Sequence, residues 1–227
     1  MARKITKKEI EKPDSFQLAL KQITTYIKEN KTKIYLISGV ITLIIAISFG
    51  WYFYRMNYEN SAQKLYAKVN LVAMKLTMQG GKPDQNILNM YRDIITQYPG
   101  SKAAMMVHYQ MGNMYYNLGD IESSIKAYTE FLKEVPEGSD LRALAQTGLG
   151  YCYESKKDLK DALDSFEKAA NSKFDGSFEG ITYRNIARIY EEMDNKGKAI
   201  EYYKKALDKT SDPSMKHLLK RKISIIS

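Results

Sequence analysis

HYQMGNMYYNLGDIESSIKAYTEFLKEVP, residues 108–136, decides how the chain folds. Its apolar side chains recur at three- and four-residue spacing, which gathers them on one face of a helix. Leu118-Gly119-Asp120 breaks the run midway, and the same spacing resumes from Ile121. The segment therefore predicts two helices folded back on each other. Small residues, Gly112 and Ser124, stand where two helices must approach closely. Tyr128 and Phe131 supply the bulk that fills the gap to a neighbouring unit.

The pattern returns twice along the chain. His108-x-x-Met111-Gly112-x-x-Tyr115, followed by Ser124, Tyr128, Phe131 and Pro136, aligns on Gln146-x-x-Leu149-Gly150-x-x-Tyr153, followed by Ala162, Phe166 and Ala169. It aligns again on Tyr183-x-x-Ile186-Ala187-x-x-Tyr190, followed by Ala199, Tyr203 and Ala206. Gly112, Gly150 and Ala187 are separated by 38 and 37 residues. Further breaks fall at Gly80-Gly81-Lys82-Pro83-Asp84, Tyr98-Pro99-Gly100-Ser101, Val135-Pro136-Glu137-Gly138, Phe174-Asp175-Gly176 and Asp212-Pro213. Such a period marks stacked supersecondary units.

These positions resemble the tetratricopeptide repeat (TPR): a large residue, Leu-Gly or Leu-Ala, Tyr, then Ala, an aromatic, Ala and Pro. The resemblance implies an all-α fold, a TPR-like solenoid of helical hairpins, with three repeats over residues 105–213. A linker helix and a degenerate repeat are expected at 55–104, where Ile87, Tyr91, Ile94 and Pro99 match a second helix. Residues 214–227 form an amphipathic capping helix, which such arrays require.

A stack of this kind offers a concave surface lined by the first helix of each repeat. By register, the candidate protein-binding residues are Tyr109, Asn113 and Tyr116 in the first repeat, Thr147, Tyr151 and Glu154 in the second, and Arg184, Arg188 and Glu191 in the third. Tyr and Arg are enriched at binding hot spots. Asn113, Arg184 and Arg188 fit parts of the clamp with which some TPR domains hold a terminal carboxylate. Tyr109 and Tyr151 replace its first Lys and second Asn, so the clamp is not expected to be intact.

No catalytic constellation is legible. His108 and His217 are the only histidines, and neither has a second His or Cys at metal-ligand spacing. Gly80-Gly81-Lys82 lacks the spacer and hydroxyl of a phosphate loop. Asp158, Asp161 and Asp164 alternate with Lys157, Lys160 and Lys168 as on a solvated face. Cys152, the one cysteine, sits inside a first helix as a small apolar residue and excludes an intramolecular disulfide. The sequence thus predicts a non-enzyme with no metal, no cofactor and no small-molecule substrate.

The amino-terminal quarter is of another kind. Residues 34–54 carry no charge, and as a helix they extend roughly 30 Å, the thickness of a bilayer's hydrocarbon core. Lys31 and Lys33 precede this run, Trp51, Tyr52 and Tyr54 occupy its far end, and Arg55 follows. A single uncleaved transmembrane helix is predicted, because a signal peptide would have a shorter apolar core and a small-residue cleavage site. Cys152 lies mid-domain and cannot serve as a lipoprotein anchor.

The leader, 1–33, holds nine basic residues against four acidic ones, whereas residues 55–74 hold only Arg55, Lys64 and Lys68 as cations. The positive-inside rule then puts the amino terminus in the cytoplasm. The net charge of +9 is concentrated in this leader relative to its size, which points to orientation and anionic lipid rather than to nucleic acid. Within the leader, Phe16, Ala19, Leu20, Ile23, Tyr26 and Ile27 recur at helical spacing after Pro13, with Asp14 or Ser15 as cap. That pattern reads as a helix on the inner membrane surface, in preference to the alternative of the same pattern, a docking helix for a cytoplasmic partner.

Basic leader, one span and small repeat domain together resemble the YfgM-type ancillary subunits of the bacterial SecYEG translocon. Arg3-Lys4-Ile5-Thr6-Lys7-Lys8-Glu9-Ile10-Glu11-Lys12-Pro13-Asp14 and the helix running from the span into 57–79 carry that resemblance. It implies an inner-membrane protein with a periplasmic repeat domain that associates with SecYEG and with membrane-anchored periplasmic chaperones and assists exported proteins. Two other readings share the architecture. Tyr98-Pro99-Gly100-Ser101-Lys102-Ala103 looks like segments of TPR scaffolds for outer-membrane assembly and cell division. An import receptor with cytosolic repeats would need the opposite orientation.

Overall fold

The computed structural model describes residues 15–81, 84–171 and 176–227. The leader motif at 3–14 with its cap at Asp14, the Lys82-Pro83 part of one predicted turn and Phe174-Asp175 of another lie outside the described residues. Among the described residues there are ten helices and no strand. They fall into two units, 1–57 and 58–227.

The first unit contains α1, Ser15–Glu29, and the start of α2, Lys31–Met78. Helix α2 runs 48 residues without interruption and contains the whole uncharged run. It is long and apolar enough to cross a membrane, and none of its most apolar window is buried within the protein. The few polar side chains there do not interrupt the helix. Ser38 returns its hydroxyl to the carbonyl of Tyr35 at 3.0 Å and Thr42 to that of Ser38 at 2.9 Å. At the far end the rings of Phe49 and Phe53 stack at 6.5 Å and those of Trp51 and Tyr54 lie 6.1 Å apart.

The second unit begins with the remainder of α2, which pairs with α3, Gln85–Gln97. Three hairpins follow: α4 (Lys102–Leu118) with α5 (Ile121–Glu134), α6 (Asp140–Ser155) with α7 (Leu159–Ala170), and α8 (Gly176–Glu192) with α9 (Lys196–Lys209). Helix α10, Pro213–Ile226, packs on α9 and buries Leu219 completely. The core is a chain of clusters. Ala62 and Val69 of α2 meet Ile87, Leu88, Tyr91 and Ile94 of α3 and Val107 of α4. Tyr128, Phe131, Leu149 and Cys152 form the next cluster, and Phe166, Ile186, Ile189, Tyr203 and Leu219 the last.

The recurring small residues have a direct steric reason. A Cβ on Gly112 would stand 2.7 Å from the Tyr128 ring, and one on Gly150 would stand 2.5 Å from Phe166. Each first helix thus admits the aromatic ring of its own second helix. At the third position the methyl of Ala187 is tolerated, and both it and Tyr203 are buried.

The turn inside each hairpin also repeats. Gly119 has φ 81°, and at the equivalent positions Lys157 has φ 64° and Asp194 φ 56°. Each is followed by a residue whose side chain caps the second helix: Asp120 accepts from the amide of Ser123, Asp158 from that of Asp161, and Asn195 from that of Lys198. The sequence marked only the first of these turns, because Lys157 and Asp194 carry no Gly or Pro signal. A side chain in this left-handed conformation costs about 1 kcal/mol. Lys157→Gly is accordingly expected to raise stability by roughly 1 kcal/mol, read as a higher urea midpoint at unchanged slope.

Candidate protein-binding face

The nine candidate side chains lie on α4, α6 and α8, and the structure ties most of them to one another or to neighbouring helices. Tyr109 packs its ring 6.0 Å from Tyr128 and 5.4 Å from Phe131. Asn113 accepts a hydrogen bond from the Tyr128 hydroxyl at 2.7 Å. Burial raises the Tyr128 phenol above its ordinary range and keeps it a donor. Tyr116 lies 6.5 Å from Tyr151 across the repeat boundary. Thr147 is buried and bonds back to the Ala143 carbonyl at 2.9 Å, so it faces the interior and offers nothing to a partner.

The last two repeats and α10 converge more tightly. Arg188 grips Glu154 with both terminal nitrogens, at 2.6 and 2.8 Å, and its guanidinium stands 5.9 Å from the centre of the Tyr151 ring. Burial raises the Glu154 carboxyl, and the charge of Arg188 pulls it back without reversing the shift. Tyr151 packs edge-on against Phe166 at 5.3 Å and accepts from Asn185 Nδ2 at 2.8 Å. Asn185 in turn accepts from Arg184 at 3.2 Å, while the other Arg184 terminus reaches the Met215 sulfur at 3.8 Å. Glu191 accepts from the Tyr203 hydroxyl at 2.6 Å and from Lys222 at 2.8 and 3.0 Å. Burial pushes its carboxyl up, but those two donors outweigh burial and hold it below the ordinary value.

These side chains border a cavity of about 270 Å³ lined by Tyr151, Arg184, Arg188, Tyr203, Leu218, Leu219 and Lys222. Leu218 remains 45% exposed at its rim. The arrangement can hold a chain segment by its aromatic walls and guanidinium donors. Asn185, Tyr203 and the α10 residues Leu218 and Lys222 were not among the sequence candidates. Asn185 is fully buried and its amide is partnered by Tyr151, a role that the sequence alone does not mark.

The histidines take no part in this cavity. His108 lines a separate recess with Arg92, Lys126 and Glu130, and burial lowers its pKa despite the nearby Glu134 and Glu130. His217 is exposed on α10. Cys152 is fully buried with its sulfur 3.2 Å from the Ser124 hydroxyl, and burial raises the thiol. Among the described residues no group of His, Cys, Asp and Glu could hold a metal ion.

A tetratricopeptide repeat-like domain model matches residues 25–227. No curated protein matches the sequence. A crystal structure of MamA protein is 18% identical, with a TM-score of 0.55 over 72% of this chain and 81% of that one. The structure from a functional characterisation of Pseudomonas aeruginosa pilF is 13% identical, with a TM-score of 0.55 over 73% of this chain and 76% of its own. At such identities the likeness is one of fold alone.

Proposed function

The chain belongs to the tetratricopeptide repeat-like domain family, and on that footing we propose that it is a membrane-tethered scaffold that binds protein segments on the first-helix face of its repeats. The observation that carries the binding face is the cavity between α6, α8 and α10, where Tyr151, Arg184 and Arg188 are already held in place by Asn185 and Glu154. Side chains fixed before binding lose little entropy when a segment arrives. In this reading residues 34–54 cross the bacterial inner membrane, the leader is cytoplasmic, and the repeats stand in the periplasm. Tethering beside the site where chains emerge raises the effective concentration of those chains for the scaffold, with no new contact required. The charge of the leader and the overall architecture support an ancillary role at the SecYEG translocon, handing exported proteins to membrane-anchored chaperones.

Topology and partner are tested together in living cells. Lys102→Cys should react with a membrane-impermeant thiol reagent in cells whose outer membrane has been permeabilised. Reaction only after complete lysis would sink the periplasmic placement. Photo-crosslinkers at Tyr109, Tyr151 and Arg188 should recover translocon subunits or nascent exported chains. Recovery of outer-membrane assembly factors alone would overturn the translocon role.

A further inference from the structure

We propose that α1 is a lipid-binding helix that lies on an anionic membrane surface beside the span; this rests on the reading that 34–54 crosses a bilayer. Helical geometry puts Phe16, Ala19, Leu20, Ile23, Tyr26 and Ile27 within an arc of about 120°. Phe16 is 67% exposed and Tyr26 63%, and α1 has no buried residue. The apolar arc therefore needs an occupant. Thr24, at the flank of the arc, turns its hydroxyl back onto the carbonyls of Leu20 and Lys21, both at 2.9 Å, so it brings little polar demand to that edge.

The chemistry around the arc identifies the occupant. Lys21 and Lys28 lie with Thr25 on the face opposite the arc, Lys31 and Lys33 follow immediately, and Glu29 is the only acid between residues 15 and 33. An apolar strip backed by a lysine-bearing polar face matches the junction between acyl chains and anionic headgroups, where long lysine side chains reach to the headgroups. Position agrees with charge, because only residues 30–33 separate α1 from the uncharged run. Asn30 interrupts the helical course at this junction. Its side-chain amide donates to the Tyr26 carbonyl at 3.1 Å, closing α1, while its own carbonyl accepts from Ile34 at 3.0 Å, opening α2. Such a break lets α1 leave the axis of the span and remain at headgroup depth. A protein partner would use the same arc, but it would give no account of lysines gathered toward the end that enters the bilayer.

The test uses the full chain reconstituted in vesicles of phosphatidylcholine, with or without phosphatidylglycerol. An environment-sensitive fluorophore is placed in turn at Ile23→Cys on the arc, Thr25→Cys on the opposite face and Ile44→Cys in the span; Cys152 is fully buried, away from the reagent. With phosphatidylglycerol present, the Ile23 probe should be quenched by shallow lipid-borne quenchers and the Thr25 probe should not. Lys21→Gln and Lys28→Gln should each lower the ratio of immersed to water-exposed probe about fivefold. If the Ile23 probe is as water-accessible as the Thr25 probe while the Ile44 probe reports the bilayer centre, the proposal is overturned and the arc is left for a protein. Equal immersion with and without phosphatidylglycerol would overturn the anionic preference. A water-exposed Ile44 probe would overturn the span itself, and this proposal with it.

Discussion

Phe166→Ala is expected to lower the stability of the repeat unit by about 3–5 kcal/mol, a large share of the roughly 5–15 kcal/mol that holds a typical domain folded. Phe166 is fully buried, and it fills the space that Gly150 opens by having no side chain. It also supports Tyr151 edge-on and shares a cluster with Ile186, Ile189 and Tyr203 of the following repeat. Removing the ring leaves a cavity between two helices already at closest approach, so little collapse can relieve it. In a solenoid each repeat is stabilised by its neighbours, and the loss should spread through α6 to α9 more than to α3 and α4. Urea unfolding of the full chain in detergent measures the total loss. Hydrogen exchange on the same sample shows where protection falls. A loss under 1 kcal/mol would mean that the aromatic position does not join the repeats.

Ile41→Arg combined with Ile44→Arg is expected to shift the protein from the membrane fraction to the soluble fraction. Each arginine near the middle of a span costs roughly 3 kcal/mol of insertion free energy, and the two lie on nearby faces of one helix. Neither residue is buried against protein, so the double variant should leave the repeat unit's unfolding midpoint unchanged. Fractionation followed by an alkaline carbonate wash checks the first part, and urea unfolding the second. Retention of the double variant in the washed membrane would mean that another feature anchors the chain.

The repeat register was legible because steric need is written as residue size at fixed offsets. Gly112 and Gly150 had to be small for Tyr128 and Phe166 to be large, and the alternation survives in the sequence as a period of 38 residues. Two of the three hairpin turns were not legible. Lys157 and Asp194 adopt the same left-handed conformation as Gly119 without the residue that usually announces it. Of the candidate face, register placed all nine residues on the first helices of the hairpins but did not give the state of their side chains. The ion pair of Glu154 with Arg188, the contact of Lys222 with Glu191 and the bond of Asn185 to Tyr151 all join residues 31 to 34 positions apart. No local pattern encodes such partners, since they depend on how one repeat stacks on the next and on how α10 folds onto α9. Thr147 misleads for a related reason: it shares the register of the face, but its hydroxyl is turned to Ala143 inside the helix.

The first-helix face, and not the opposite one, is expected to receive protein segments. Photo-crosslinkers placed singly at Tyr151 and Arg188, and for comparison at Lys160 and Lys204 on the exposed surfaces of α7 and α9, distinguish the two faces. Adducts to other proteins should form from Tyr151 and Arg188 and be lost in Arg184→Glu, with none from Lys160 or Lys204. Equal yields from all four positions, or adducts from Lys160 and Lys204 alone, would mean that the first-helix face is not where segments bind.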